Sequence, residues 1–188
     1  MANWAETEYR ISGDAETVKK VFTAVDGCIT GKIAKSAGSS NSWEGNVILA
    51  LGGDLSGRYL RAFIQEYSYN EDGSLRIVAD EAWGRSGFKE CLQELFQELE
   101  ILYRTEEEGM EIYQTNDVEA VYFTDRYVML YWKEFDYEKE YFVSEDDAYA
   151  YIGKLTGGAE TPELLEAWNE ANVGNAGCEL IEFDVIDD

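Results

Sequence analysis

The chain has 188 residues, of which 39 are Asp or Glu and 15 are Lys or Arg, so its formal net charge is −24. The absence of His excludes Ser-His-Asp and Cys-His catalysis as well as His-ligated metal sites. The negative surplus disfavours direct binding to DNA or to an anionic membrane, because both carry negative charge themselves. With 45% hydrophobic and 14% aromatic residues, however, the chain is predicted to fold around a core.

The cysteines and the N-terminus bear on the cellular compartment. Cys28, Cys91 and Cys178 are far apart and form no Cys-x-x-Cys pair, so they are expected to be reduced. The opening residues lack the basic start and apolar run of a signal peptide, and no stretch approaches the length of a membrane span. We therefore expect a cytoplasmic protein that uses no cofactor and no metal.

The first elements in chain order are a strand and a helix. Residues 4–12 alternate apolar and charged side chains, which predicts a strand. Asp14 is placed to cap a helix that ends near Gly27, because the apolar residues between them recur at helical spacing. Residues 27–45 are rich in Gly and Ser and are predicted to form a loop. A short apolar run at 46–51 is interpreted as an extra strand or segment.

The next elements complete a known pattern. Strands are predicted over 58–69 and 74–83, with an Asp-Gly turn between them. A helix begins at Ser86, and two further strands are predicted over 100–105 and 110–115. The order of these elements is β-α-β-β-α-β, which predicts an α+β fold with a ferredoxin-like sheet and two helices on one face.

Residues 116–188 are predicted to form an acidic, aromatic-rich α+β extension of the ferredoxin-like domain at 1–115. Helices are predicted to begin at Ser144, which starts a capping box, and at Thr161, which precedes the only proline. The sequence shows neither an internal repeat nor a Pro-rich linker, so we expect the two parts to pack together. The strands predicted in this part cover 118–123, 127–133, 140–143 and 179–186.

Several short motifs resemble the YubB-type ferredoxin-like family of plasmid and phage proteins over about residues 1–115. They are the opening Met1-Ala2-Asn3-Trp4, Ala82-Trp83 before the second helix, and Glu108-Gly109-Met110. The chain has Ala5 where the family usually has Cys, and Gly84-Arg85-Ser86 where it usually has Ser-Pro-Pro. The resemblance implies a ferredoxin-like fold without an iron–sulfur cluster and a role on mobile elements. It implies no catalytic residue.

The negative charge is concentrated in the second half. Residues 1–99 carry a net charge of −5, whereas residues 100–188 carry −19. Spread evenly, −24 gives about one charge per 380 Å² on a globule of this mass, against roughly one per 100 Å² on duplex DNA. An imitation of nucleic acid therefore requires that acids from 106–108, 134–140, 144–147 and 179–188 share one face.

The segment 131–142 is the most distinctive part of the sequence, because aromatic residues alternate in it with charges that are mostly acidic. One interpretation is a strand and turn with one buried face. The other is a recognition edge in which aromatic residues anchor a partner and carboxylates pair with its Arg and Lys side chains. The predicted partner-binding residues are Glu106, Glu107, Glu108, Trp132, Glu134, Asp136, Glu138, Glu140, Glu145, Asp146 and Asp147.

The sequence offers three other kinds of chemistry, each with an argument against it. A carboxylate pair could serve acid–base catalysis, but sequence spacing alone does not show convergence in a pocket. Residues 106–108 could hold a divalent cation, although adjacent turn residues rarely converge on one ion. The Gly-rich segment 52–57 lacks the spacing of a phosphate-binding loop.

The leading hypothesis is a non-enzymatic inhibitor from a phage or other mobile element. It would bind a basic, nucleic-acid-handling defence protein of the host, of the anti-CRISPR or anti-restriction type, and occupy the groove that normally holds phosphates. The alternative is a protein-interaction module whose acidity serves solubility only.

Overall fold

The computed structural model describes residues 3–187 and shows a mixed α+β fold with a six-stranded sheet, a three-stranded sheet and five helices. The chain divides into two compact units. The first unit comprises residues 1–117 and 186–188, and the second comprises residues 118–185. Within the described residues, no helix is both long enough and apolar enough to cross a membrane.

The first unit contains five strands in the order β2-β3-β1-β4-β5, and neighbouring strands are antiparallel. Since β1 and β2 are both antiparallel to β3 between them, they run parallel to each other and require a crossover, which helices α1 and α2 provide. The elements are β1 (Trp4–Ser12), α1 (Ala15–Ile29), α2 (Glu44–Ala50), β2 (Ala62–Tyr69), β3 (Leu75–Ala82), α3 (Phe88–Leu95), β4 (Glu100–Glu107), a 3₁₀ turn (Glu108–Met110) and β5 (Ile112–Thr115).

The sheet of the first unit has one apolar face and one charged face. Tyr9 and Ile11 of β1 are buried in a core that includes the apolar side of α1. The opposite face carries ion pairs, such as those that Glu8 makes with Arg10 at 3.0 Å and with Arg76 at 2.8 Å. The two-residue period of the strands separates the two sets of side chains.

Three predictions for local structure are wrong. The apolar run at 46–51 belongs to α2, a helix buried against its neighbours, since a short apolar run does not by itself distinguish strand from helix. Gly27 lies inside α1, where a Cβ would come within 2.6 Å of the Ile33 Cδ1 atom, so it serves close packing and does not end the helix. Residues 118–123 contain no strand.

The second unit has an antiparallel sheet in the order β7-β6-β8. Met129 of the central strand packs on one face of it with Ile152, Leu165 and Cys178 in a small core. As predicted, Ser144 and Thr161 are the N-caps of the two helices. The elements are β6 (Tyr127–Lys133), β7 (Asp136–Phe142), α4 (Glu145–Thr156), α5 (Pro162–Ala171), β8 (Ala176–Glu182) and β9 (Asp184–Val185).

Candidate functional site

Two glutamates meet in the core of the first unit, and both are fully buried. Glu81 is the penultimate residue of β3 and accepts hydrogen bonds from the hydroxyls of Thr7, at 2.7 Å, and Tyr9, at 2.8 Å. It also accepts a bond from the backbone N–H of Ser86 at 3.0 Å. Glu44 begins α2 and accepts a bond from the Ser86 hydroxyl at 2.7 Å. Ser86 therefore links the two carboxyl groups.

Both carboxyl groups favour their protonated, neutral forms. Burial raises the pKa of Glu44 well above its usual value, and the charge of Glu81 raises that pKa further. Burial also raises the pKa of Glu81. No donor from the described residues reaches the buried Oε1 atom of Glu44, so an ionised Glu44 would leave this atom without a hydrogen bond.

This pair is the feature that the sequence analysis missed. Strand alternation contained a signal for it, because Glu81 lies on the same face of β3 as the buried Leu75 and Ile77. The pair resembles the paired carboxylates of acid–base enzymes, but with zero exposure neither group can touch a substrate. Its role in the described structure is to connect β3, α2 and the segment before α3.

The acids at 106–108 do not converge. Glu106 is only 9% exposed and pairs with Arg104 at 3.2 Å. Glu107 instead accepts a hydrogen bond from the backbone N–H of Met110. Among the described residues, no cluster of three or more Asp, Glu, Cys or His side chains could hold a metal ion. Glu106 and Glu107 thus make contacts within the first unit, whereas Glu108 is exposed. The assignment of these three residues to partner binding stays a prediction.

The hairpin of β6 and β7 presents three exposed aromatic side chains. Trp132 and Tyr137 are direct cross-strand neighbours, 45% and 55% exposed, and Phe135 in the turn is fully exposed. Glu134 has a φ of 53°, in the left-handed region that favours Gly, Asn or Asp. The hairpin therefore departs from both turn preference and apolar burial at one place, which is typical of functional positions.

The acids of β7 and the exposed aromatic residues Trp132 and Tyr137 lie on opposite faces of this hairpin. Asp136, Glu138 and Glu140 occupy alternate positions of β7 and pair with the β6 residues that face the helices. Glu138 also accepts a hydrogen bond from the Tyr151 hydroxyl. Strand alternation thus separates the acids of β7 from the exposed Trp132 and Tyr137, and the two sets meet only at the turn. The recognition edge stays a prediction.

The start of α4 adds three further acids. Asp147 belongs to the cap, since its carboxylate accepts a 2.6 Å hydrogen bond from the Ser144 hydroxyl. Glu145 and Asp146 are exposed and line an open groove of about 550 Å³. Acids in the first turn also stabilise a helix through its dipole, which gives these residues a structural role as well.

The two units differ in net charge and in the ion pairs that their acidic side chains form. In the second unit, 16 acids face 4 bases, for a net charge of −12. Several carboxylates of the first unit form ion pairs with Arg or Lys. Many exposed acids of the second unit have no side-chain hydrogen bond or ion pair with any described residue, and five of them belong to the predicted partner-binding residues. These five, the unpaired acids, are Glu134, Asp136, Glu140, Glu145 and Asp146.

The predicted partner-binding residues are thus divided between the units. Residues 106–108 lie in the first unit and all the others lie in the second. Comparison with protein-family models, curated proteins and solved structures finds no match for this chain. The resemblance to the YubB-type family therefore stays a prediction, and the site has to be interpreted from its own geometry.

Proposed function

We propose that the protein is a non-enzymatic inhibitor whose second unit binds a basic, nucleic-acid-handling protein in the cytoplasm and competes there with nucleic acid. The observation that carries the proposal is the set of five unpaired acids, three in the β6–β7 hairpin and two at the start of α4, together with the exposed aromatic residues of that hairpin. A partner's Arg and Lys side chains would supply the counter-charges that the chain itself does not.

The spacing of the acids indicates how they would act. Alternate residues of a strand are about 6.8 Å apart, so the row on β7 has about half the charge density of one DNA strand and a quarter of that of a duplex. The charge of this row alone would therefore compete only weakly with a DNA duplex for a basic groove. Acids of this density accelerate encounter with a basic groove, and Trp132, Phe135 and Tyr137 supply the buried contact that slows release.

We also infer that the first unit is a ferredoxin-like domain. The order of β1, α1, β2, β3, α3 and β4, with β1 and β2 parallel on either side of β3, supports this assignment. Together with the motifs at its start and end, it favours an origin on a phage or plasmid and a partner in host defence. That last step is by association and adds no physical support.

The test compares two variants of equal charge. One converts the five unpaired acids to their amides, and the control converts five exposed acids of the first unit: Glu6, Glu16, Glu71, Glu98 and Glu111. Each protein is immobilised on a resin and incubated with host lysate. Bound proteins are then eluted, first with an excess of DNA oligonucleotide and then with high salt. We expect the parent and the control to release the same basic protein with DNA, and the amide variant to retain far less of it.

The captured protein is then purified for kinetics. Loss of the unpaired acids should lower its association rate by at least about tenfold at low salt while changing dissociation less. Equal association rates for the two variants would mean that the acidity serves solubility alone. Elution by salt but not by DNA would refute competition for a nucleic-acid groove.

A further inference from the structure

Strand β8 is an edge of the three-stranded sheet, and its even-numbered residues turn their backbone groups away from β6. The Phe183 N–H donates to the Arg126 carbonyl at 2.9 Å. Because backbone groups alternate in direction along a strand, the odd-numbered residues of β8 direct their N–H and C=O groups toward β6. On the other side, the Ala176 N–H donates to the Asn172 carbonyl at 3.1 Å. The backbone groups of Leu180 and Glu182 face the same way and have no hydrogen-bond partner among the described residues.

A side-chain amide already occupies one rung of this edge. Asn169 of α5 donates from Nδ2 to the Cys178 carbonyl at 2.8 Å, and its Oδ1 accepts from the Cys178 N–H at 2.9 Å. This pair of bonds is the one that a peptide group of an added strand would make. The edge is therefore shaped to receive an amide at Cys178, and the ladder continues without a partner at Leu180 and Glu182.

A groove lies beside this edge. It has a volume of about 470 Å³ and runs between α5 and β8. Apolar side chains of Leu165, Val173 and Leu180 line it, and Val173 is 78% exposed. Glu166, Glu170 and Glu179 flank it. Such a groove can accept the apolar side chains on one face of a docked strand, and the flanking carboxylates favour a strand that carries Lys or Arg side chains.

We propose that the β8 edge binds an extended, basic segment of a partner protein as a fourth strand of this sheet. The inference is independent of the hairpin, because none of the unpaired acids lines the groove. A second copy of this chain is disfavoured as the occupant, since Glu179 and Glu182 would face the same charges. The groove's acids leave a Lys- or Arg-bearing strand as the fitting ligand.

The probe is a capped octapeptide of alternating Lys and Val, titrated to about 1 mM, where binding of roughly 4 kcal/mol is detectable. Amide NMR should show shifts at Leu180 and Glu182 and slower hydrogen exchange of both amides. Absence of these changes, or equal binding of a Glu-Val octapeptide, would overturn the proposal.

Backbone methylation of the peptide separates strand addition from simple charge attraction. In an added strand, only every second backbone N–H faces β8, so methylating that set should weaken binding at least about tenfold while methylating the other set should not. If the two methylated peptides bind alike, no strand is added. This outcome is independent of the test with the unpaired acids, so failure of one proposal is distinguishable from failure of the other.

Asn169→Ala tests the occupied rung. The substitution uncovers the Cys178 N–H and carbonyl, so the ladder gains a rung and the peptide should bind several-fold more tightly. A purely structural role for Asn169 would lower stability without tightening binding. Binding that is unchanged or weaker in the folded variant would refute the stand-in role of this amide.

Discussion

The buried carboxyl pair predicts that the stability of the protein depends on pH in a specific direction. Because the folded state raises the pKa of Glu44, it binds a proton that the unfolded chain releases once the pH passes the usual value of a Glu side chain. The contribution of this proton is therefore fully present below that value and is lost as the pH rises towards the raised pKa. Each pH unit within this window costs about 1.4 kcal/mol of unfolding free energy.

Glu44→Gln should remove this dependence. The amide retains the shape of the side chain: its oxygen can accept from the Ser86 hydroxyl, and its NH₂ group can donate to Glu81 without a titrating proton. We expect the variant to match the parent near pH 4.5 and to exceed it by roughly 1–3 kcal/mol near neutral pH. For a chain of this length, that corresponds to about 2–12 °C in melting temperature.

The measurement is urea unfolding followed by circular dichroism between about pH 4.5 and 8.5, at constant salt. Glu71→Gln, in the exposed turn between β2 and β3, removes one acid without touching the pair and controls for the general repulsion of a chain with net charge −24. Parallel pH profiles for the parent and Glu44→Gln would refute the raised pKa of Glu44. An identical gain in Glu71→Gln would assign the effect to net charge.

Three further outcomes are expected. Raising salt from about 0.05 to 0.5 M should raise the melting temperature of the parent, because screening relieves the mutual repulsion of the unpaired acids. The amide variant of these acids should show a smaller rise, and an equal rise in melting temperature for the two proteins would count against repulsion among them. Glu134→Gly should stabilise the protein by up to about 1 kcal/mol, since Gly adopts the φ of 53° without strain, and a loss of stability in thermal unfolding would show that the turn is not strained. Gly177→Ala should displace the indole of Trp132, because an added Cβ would come within 2.1 Å of its Cζ2 atom; fluorine NMR of fluorotryptophan-labelled protein should move the Trp132 resonance and leave that of Trp4 unchanged.

The spacing of apolar residues along the chain was sufficient to predict most of the helices and strands. The capped helix after Asp14 and the helices begun by Ser144 and Thr161 were predictable, because capping depends on residues three positions apart along the chain. The strand predicted over residues 118–123 is absent from the structure. Their apolar and aromatic side chains follow strand propensity, but whether a strand forms depends on pairing with distant residues.

The candidate site was predictable in composition but not in arrangement. Charge and aromatic content identified the segment 131–142 from the sequence alone. Which acids form ion pairs could not be predicted, because Glu106 pairs with Arg104 within its own strand whereas Asp136 forms no ion pair with Lys133, its cross-strand neighbour. Pairing of this kind depends on which face each residue occupies and on what lies opposite.

The sequence by itself determined the excess of negative charge, the absence of His chemistry and the α+β order of elements, since each is a count or a local pattern. Only the tertiary structure brought Glu44 to Glu81, 37 residues apart in the numbering, and set the Asn169 amide on the edge of β8. Contacts between distant residues depend on how helices pack on sheets, and that geometry is decided by the whole core rather than by any short segment.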